Sequence, residues 1–433
     1  MPEFILNLSP VIKLVLTLAG IVGLMRAKAP MGAALLAGSG LIALLFPMSL
    51  GDFGRAVLSG ILNQESLFLA FIVAGLLVFS GSLNKTGQID RIKDAFMALV
   101  GRSRLILVAL PAMIGLLPMP GGAIFSAPMI EASVRGTKLT PAQKSASNYW
   151  FRHIWEYWLP LYPGVLLALS LSGVPAARYI LIQMPMTLVA LLGGWLVILR
   201  RIHFEKDIER EWSRRRLTTF LGELLPILIV VLTVIVLAPV GERLAGRFAP
   251  DSKLLKQFGV AVGIVAGAVW LIRRRGLTAR TIWSLTWSKN VGVMLFLVLG
   301  IVVFQGVFRK SGAVEAVHAQ FEQSGVPLIA VISIVPFLCG LLIGIAVGFV
   351  GSSYPIIVAL LAGMSAGENL PYYFLAYNMG YIGMMLSPVH ICLILTNQYF
   401  KSSLARVYAY LIPLALIDIV FVCGLFLLYR RFL

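Results

Sequence analysis

With 433 residues, 59% of them hydrophobic and only 12% charged, and a mean hydropathy of +0.92, the chain is excluded from the soluble globular class and reads as a multi-span membrane protein. Its formal net charge of +18, from 36 Lys and Arg against 18 Asp and Glu, sits in short loops between apolar runs rather than in a stripe with interleaved aromatics, which points to membrane topology and away from nucleic acid. Cys339, Cys392 and Cys423 lie singly inside apolar runs, so neither a disulfide framework nor a CxxC metal motif is present.

In chain order, apolar runs fall at residues 8–25, 31–48 and 66–83. The first has no cationic leader and no A-x-A cleavage site and is expected to be a retained span. Next comes an apolar stretch, 105–133, containing PAMIGLLPMPGGAIFSAP. One helical crossing needs roughly 20 apolar residues, and the arms 105–117 and 123–133 are each too short. Pro118, Pro120, Gly121 and Gly122 would leave backbone groups without helical partners, which lipid tolerates only where protein or a wet cavity satisfies them. A re-entrant hairpin is therefore predicted, with its break serving as a site.

Residues 145–172, interrupted at LPLYPG, and 176–199 follow. The charged linker 200–216, RRIHFEKDIEREWSRRR, separates two halves. Beyond it lie runs at 217–239, 255–272 and 290–308, a second broken hairpin at 327–363, an interrupted span at 371–398, and a last run at 404–428. The pattern predicts an all-α membrane protein of about ten transmembrane helices and two re-entrant hairpins.

The halves resemble each other. AFIVAGLLVFSGSLNKTG (70–87) laid on LFLVLGIVVFQGVFRKSG (295–312) aligns Phe71, Val73, Gly75, Val78, Phe79, Gly81, Lys85 and Gly87 with Phe296, Val298, Gly300, Val303, Phe304, Gly306, Lys310 and Gly312, without a gap. The same offset takes Phe96 to Phe321, Pro111 to Pro336, Gly115 to Gly340 and Pro163 to Pro388. After a two-residue slip, Ser126 and Pro128 meet Ser353 and Pro355, which puts the second break at 344–355. Glycine, lysine and proline matching at one offset imply an internal duplication. Its units are 1–199 and 217–433, and an odd number of crossings per half makes the second unit inverted.

With the linker in the cytoplasm, the loops around Arg26, Lys28, 85–104, 135–144, 273–289 and 401–406 share its side and carry about 24 Lys and Arg against about 10 opposite, as the positive-inside rule expects. Both termini are then outside, and the membrane is a prokaryotic-type inner (plasma) membrane.

Inverted repeats with broken helices are the plan of secondary transporters, whose sites lie where half-helix ends converge. Half-helix N-termini offer free N–H groups to anions, and exposed carbonyls suit Na⁺. The breaks at 118–122, 159–164, 348–353 and 387–388 are the candidates. They place Pro120, Gly121, Gly122, Ser126, Gly351, Ser352, Ser353 and Ser387 in a candidate substrate site, unless their small side chains serve only close helix packing.

The segment NYWFRHIWEYW (148–158) adds Arg152, His153 and Glu156. A charge at the bilayer centre costs roughly 2.5 to 3.5 kcal/mol on insertion scales, so these groups should face protein or water. Two readings are open. Arg152 and Glu156 form a self-neutralising i,i+4 pair, or Arg152 binds an anionic substrate while Glu156 or His153 carries a coupling proton. His153 falls on Asn378 at the repeat offset, and the second interrupted span adds His390 and Asn397. His390 either titrates near neutral pH or satisfies backbone acceptors at the helix break. One histidine with Cys392 gives too few ligands for a metal.

The breaks PMPGGAIFSAP and GFVGSSYP, with LSPVHICLILT after the second, resemble an integral membrane family of unknown function in the ion-transporter superfamily. That superfamily includes carriers of dicarboxylates, citrate, gluconate and arsenite as well as Na⁺/H⁺ antiporters. The resemblance implies two inverted repeats, a substrate site between hairpin tips, Na⁺ or H⁺ coupling without a covalently bound cofactor, and a homodimer whose transport domains move as elevators. The Ser-Asn-Thr tips of the dicarboxylate carriers are missing here. With no P-loop, H-E-x-x-H or G-x-S-x-G, the expected function is ion-coupled transport of a small, anionic solute. A Na⁺/H⁺ antiporter is the nearest alternative, and a channel or an intramembrane enzyme is more remote.

Overall fold

The computed structural model describes residues 8–100, 105–116, 122–134, 139–202, 213–248, 252–325, 327–365 and 367–433; Pro118, Pro120 and Gly121 lie outside them. The first part contains α1 (Pro10–Arg26), α2 (Met31–Leu45), α3 (Leu50–Leu62), α4 (Gln64–Lys85) and α5 (Gln88–Val100). Next come the short α6 (Ile106–Gly115), α7 (Ala123–Ser133), α8 (Pro141–Arg152) and α9 (Pro163–Ser172), then the long α10 (Ala176–Val197) and a 3₁₀ turn, Leu199–Arg201. The second part runs α11 (Arg214–Phe248), α12 (Lys253–Arg275), α13 (Ala279–Thr286), α14 (Lys289–Lys310), α15 (Ala313–Ser324), α16 (Leu328–Ile343), α17 (Ala346–Leu360), α18 (Leu370–Met385), α19 (Ile391–Phe400) and α20 (Leu404–Phe432).

Among the described residues no strand is present, and six helices are long and apolar enough to cross a membrane: α4, α10, α11, the Gln257–Arg275 stretch of α12, α14 and α20. The helices on either side of the 200–216 linker keep step. At the offset that takes Phe71 to Phe296, the ends of α4 fall on the ends of α14, and Gly87 and Gly312 after them both adopt positive φ, 66° and 72°.

The helices pack in two sets. In one, α14 packs on α2, α3 and α4, α1 packs on α2, α12 on α4, and α11 on α12 and α5. Glycine lets backbones touch there: a Cβ on Gly300 would stand 2.6 Å from the Gly32 carbonyl oxygen, and one on Gly306 2.9 Å from that of Ala56. In the other, α6 to α10 pack with α16 to α20. There Gly115 lies on the backbone of Arg152, and Gly340 on that of Gly380. The sets meet through α9 on α4, α17 on α14, and α10 on α11, where Arg178 Nε pairs with Glu242 Oε2 at 3.2 Å.

Several expectations need correction. The first interrupted span does not stay helical to residue 159: α8 ends at Arg152 and the chain is irregular from His153 to Tyr162. Local turns keep some of its backbone bonds and tertiary donors add to them, with Tyr381 OH donating to His153 O at 2.9 Å and Tyr377 OH to Glu156 O at 2.7 Å. The second hairpin breaks at Gly344, in a left-handed conformation at φ 72°, and residues 348–353 lie inside α17. Gly348 and Gly351 are packing positions, against Ile343 and Ile301. The amphipathic α3, α5, α13 and α15 stand where no element was predicted, because their apolar residues occupy only one face.

Candidate functional site

Arg152, the last residue of α8, is only 2% exposed. Its guanidinium lies over Gly122, the N-cap of α7, where a Cβ would stand 3.0 Å from Cζ and 3.1 Å from Nε. Nη1 is 3.4 Å from His153 Nε2 and 3.4 Å from Cys392 Sγ in the first turn of α19. His153 Nδ1 sits 2.6 Å from the Tyr149 carbonyl. A carbonyl only accepts, so Nδ1 carries the proton and Nε2 accepts from the arginine.

Around this core, the His153 ring centroid is 4.9 Å from both Tyr149 and His390, and Tyr149 is 5.2 Å from His390. Glu156 Oε1 lies 3.9 Å from His153 Nε2. With the ring proton on Nδ1 this approach is not an ion pair, and the helical turn that an Arg152–Glu156 i,i+4 pair requires is not formed.

Contacts continue into the second hairpin. A Cβ on Gly344 would meet Ser387 Oγ at 2.8 Å and the His390 amide at 3.0 Å, and Gly164 near the start of α9 is packed on Ala346 at the start of α17. The broken ends thus form one continuous cluster through Gly122, Arg152, Cys392, His390, Gly344, Ala346 and Gly164. Four half-helix N-termini belong to it, those of α7, α9, α17 and α19. Their N-cap residues Gly122, Tyr162, Ile345 and His390 make no side-chain cap. Elsewhere Ser9, Ser49, Asn63, Thr140, Ser252, Thr278 and Ser288 cap their helices, while α2, α6, α10, α15, α16, α18 and α20 also start without a side-chain cap. Uncapped amides and the positive ends of helix dipoles suit an anion.

The fold brings a second histidine to Cys392, where the sequence offers only one nearby: ligand atoms of His153, His390 and Cys392 lie within 4.8 Å of one another. Two of the three, however, face the Arg152 guanidinium at 3.4 Å, and its charge opposes a cation there. The donor set therefore fits a metal poorly.

Apart from Ser387, which meets Gly344 in this cluster, the other sequence candidates are dispersed. Ser126 and Ser387 are buried. Ser352 Oγ donates to Gly348 O at 2.8 Å and Ser353 Oγ to Phe349 O at 2.6 Å, both within their own helix. Asn378 Nδ2 donates to Gln183 Oε1 on α10 and to Phe374 O, each at 2.7 Å. Gly351 packs on Ile301. Pro120 and Gly121 fall outside the described residues. Tyr149, Gln183, Cys392 and Asp418 were not singled out from the sequence as site residues. For Asp418 a signal existed, since it is the single acid in the apolar run of α20.

Residues 8–428 match the family described as protein of unknown function (DUF401), and the chain belongs to that family. The fold is similar to the crystal structure of the Alcanivorax borkumensis YdaH transporter, with a TM-score of 0.56 and 14% identity over 90% of this chain and 88% of that one. No curated protein matches.

Proposed function

We propose that this DUF401 family member is an ion-coupled secondary active transporter of a small organic anion. The observation that carries the reading is the buried Arg152 guanidinium, set where the uncapped N-termini of α7 and α19 meet the end of α8. A carboxylate is the natural occupant of such a place, since it accepts charge-assisted bonds from guanidinium and helix amides together. The fold shared with a transporter supports transport as the use of the site.

In this reading residues 1–199 and 217–433 are inverted repeats joined by a cytoplasmic linker at 200–216, with both termini outside a prokaryotic-type inner membrane. The set α6 to α10 with α16 to α20 is the moving elevator body, and α1 to α4 with α11, α12 and α14 the scaffold. The segregated packing of the two sets supports that division. Gly122 over the Arg152 guanidinium and Ser387 against Gly344 belong to the substrate path, with Ser126 on α7 as a further candidate. His153, Glu156 and His390 belong to the coupling machinery for H⁺ or Na⁺, and the working unit is a homodimer.

A thermal-shift screen of the purified protein against carboxylates, sugar acids and amino acids, with and without Na⁺, tests the reading. A ligand present at 100 times its Kd adds about 2.7 kcal/mol to folded-state stability. At least one organic anion should raise Tm in wild type. Stabilisation by Na⁺ alone, with none by any anion, would favour a Na⁺/H⁺ antiporter instead.

A further inference from the structure

Outside the Arg152 cluster, one buried acid stands apart. Asp418 lies in the middle of the 29-residue α20 and is 1% exposed. Tyr157 OH donates to its Oδ2 at 2.8 Å, while Oδ1 is fully enclosed and has no partner. Its neighbours on α20 are the buried Leu414, Ala415 and Val422, and across from that face α10 presents Gly193 to Leu414 and Ile417. The titratable groups facing it are phenols: Tyr157 from the irregular segment after α8, and Tyr381 from α18, whose ring packs on Tyr157 at a centroid distance of 4.1 Å. Among the described residues no cation pairs with it.

We propose that Asp418 is the residue that takes up and releases the coupling proton, an inference that rests on the transporter reading above. A carboxylate enclosed in apolar helix with a single donor is incompletely compensated, and the orphan oxygen marks where a partner has to come and go. A proton fits that place. A hard metal cation requires a shell of several oxygens, and Asp418 with one phenol supplies too few. The event is simple in its balance: Oδ1 gains a proton from one side of the membrane and loses it to the other, with only an O–H bond made and broken. Coupling to the anion site has a physical route, because Tyr157 holds Asp418 and the adjoining Tyr381 holds the His153 carbonyl at 2.9 Å. Charging or neutralising Asp418 therefore acts on the backbone that carries His153 beside Arg152.

Two measurements on the full chain test this. Infrared acid-minus-base difference spectra in nanodiscs should show a protonated-carboxyl band that disappears in Asp418→Asn; identical spectra for wild type and variant overturn the proposal. In proteoliposomes with succinate as probe, or another anion if the thermal-shift screen selects one, an inward proton gradient of about one pH unit should drive wild-type accumulation about tenfold per coupled proton. Asp418→Asn should accumulate to the same level with and without the gradient. A variant that responds to the gradient as wild type does overturns the proposal. If wild type itself carries no anion, the transporter reading fails, and the infrared band still reads proton binding at Asp418 separately. If Asp418→Asn does not fold, Tyr157→Phe replaces it: the band must shift its midpoint, and an unmoved midpoint counts against the assignment.

Discussion

Gly122 and Arg152 are locked face to face: a side chain at Gly122 would begin 3.0 Å from the Arg152 guanidinium carbon. The glycine is what lets the start of α7 lie against a buried cation. Gly122→Val should push the guanidinium off its position while leaving the helices intact. Displacements of about 1 Å at a reacting or binding group can cost about a hundredfold. Anion uptake in proteoliposomes is expected to fall by about tenfold or more at unchanged Tm, and normal uptake would show that the contact is not part of the site.

The crossings of α6 on α8 and α16 on α18 depend on Gly115 and Gly340, whose added methyl groups would meet the backbones of Arg152 and Gly380. Backbone cannot rotate away as a side chain can. Gly115→Ala and Gly340→Ala should each destabilise by about 1 to 3 kcal/mol, visible as lowered Tm in detergent. Glycine-to-alanine at Gly292, which has nothing within 4 Å, is the control and should leave Tm in place.

Gln88 joins α5 to α11 and α12. It is fully buried, donates to Glu223 O at 2.6 Å and Oε2 at 2.8 Å, and accepts from Arg275 Nε at 2.7 Å, while Arg275 also pairs with Glu223. Removing the Glu223 carboxylate strands a buried amide donor, which costs about 1 to 3 kcal/mol. Glu223→Ala should melt earlier than wild type, whereas Glu315→Ala, at an exposed acid, should not.

Asp52 at the start of α3 is held below the usual carboxylate range by a hydrogen bond from the Ser49 hydroxyl and then by Arg55, at 2.7 Å. A depressed folded-state value means the contribution to α3 is present above the ordinary aspartate range and lost as pH falls through the lowered one. Protection factors at the first turn of α3, taken against intrinsic exchange at each pH, should fall in acid. In Asp52→Asn they should be lower already at neutral pH and show no acid step.

Helix ends were largely legible where uniformly apolar runs stop at Pro, Gly or charge, as at α4, α10, α14 and α20. Arg152 stood out because a guanidinium in an apolar span is costly wherever it lies. Its partners did not, because Cys392 and His390 come from the other half of the chain and no local spacing connects them. The Arg152–Glu156 register failed for a related reason: residues 153–162 leave the helix and are held by tertiary bonds, accepted from Tyr377 and Tyr381 and donated by Trp155 Nε1 to Ala112 O at 2.7 Å. Glycines in 348–353 suggested a break, yet in α17 they only make room for neighbours. Asp418 was hidden by averaging, one acid among apolar residues. The amphipathic α3, α5 and α13 escaped because a hydropathy reading sees composition and misses faces.

The central claim is that Arg152 binds the transported anion, and uptake of a stabilising anion by proteoliposomes bearing wild type or Arg152→Ala tests it most directly. The account predicts that the variant reconstitutes as a folded protein and transports none. Uptake by Arg152→Ala at the wild-type rate would contradict it.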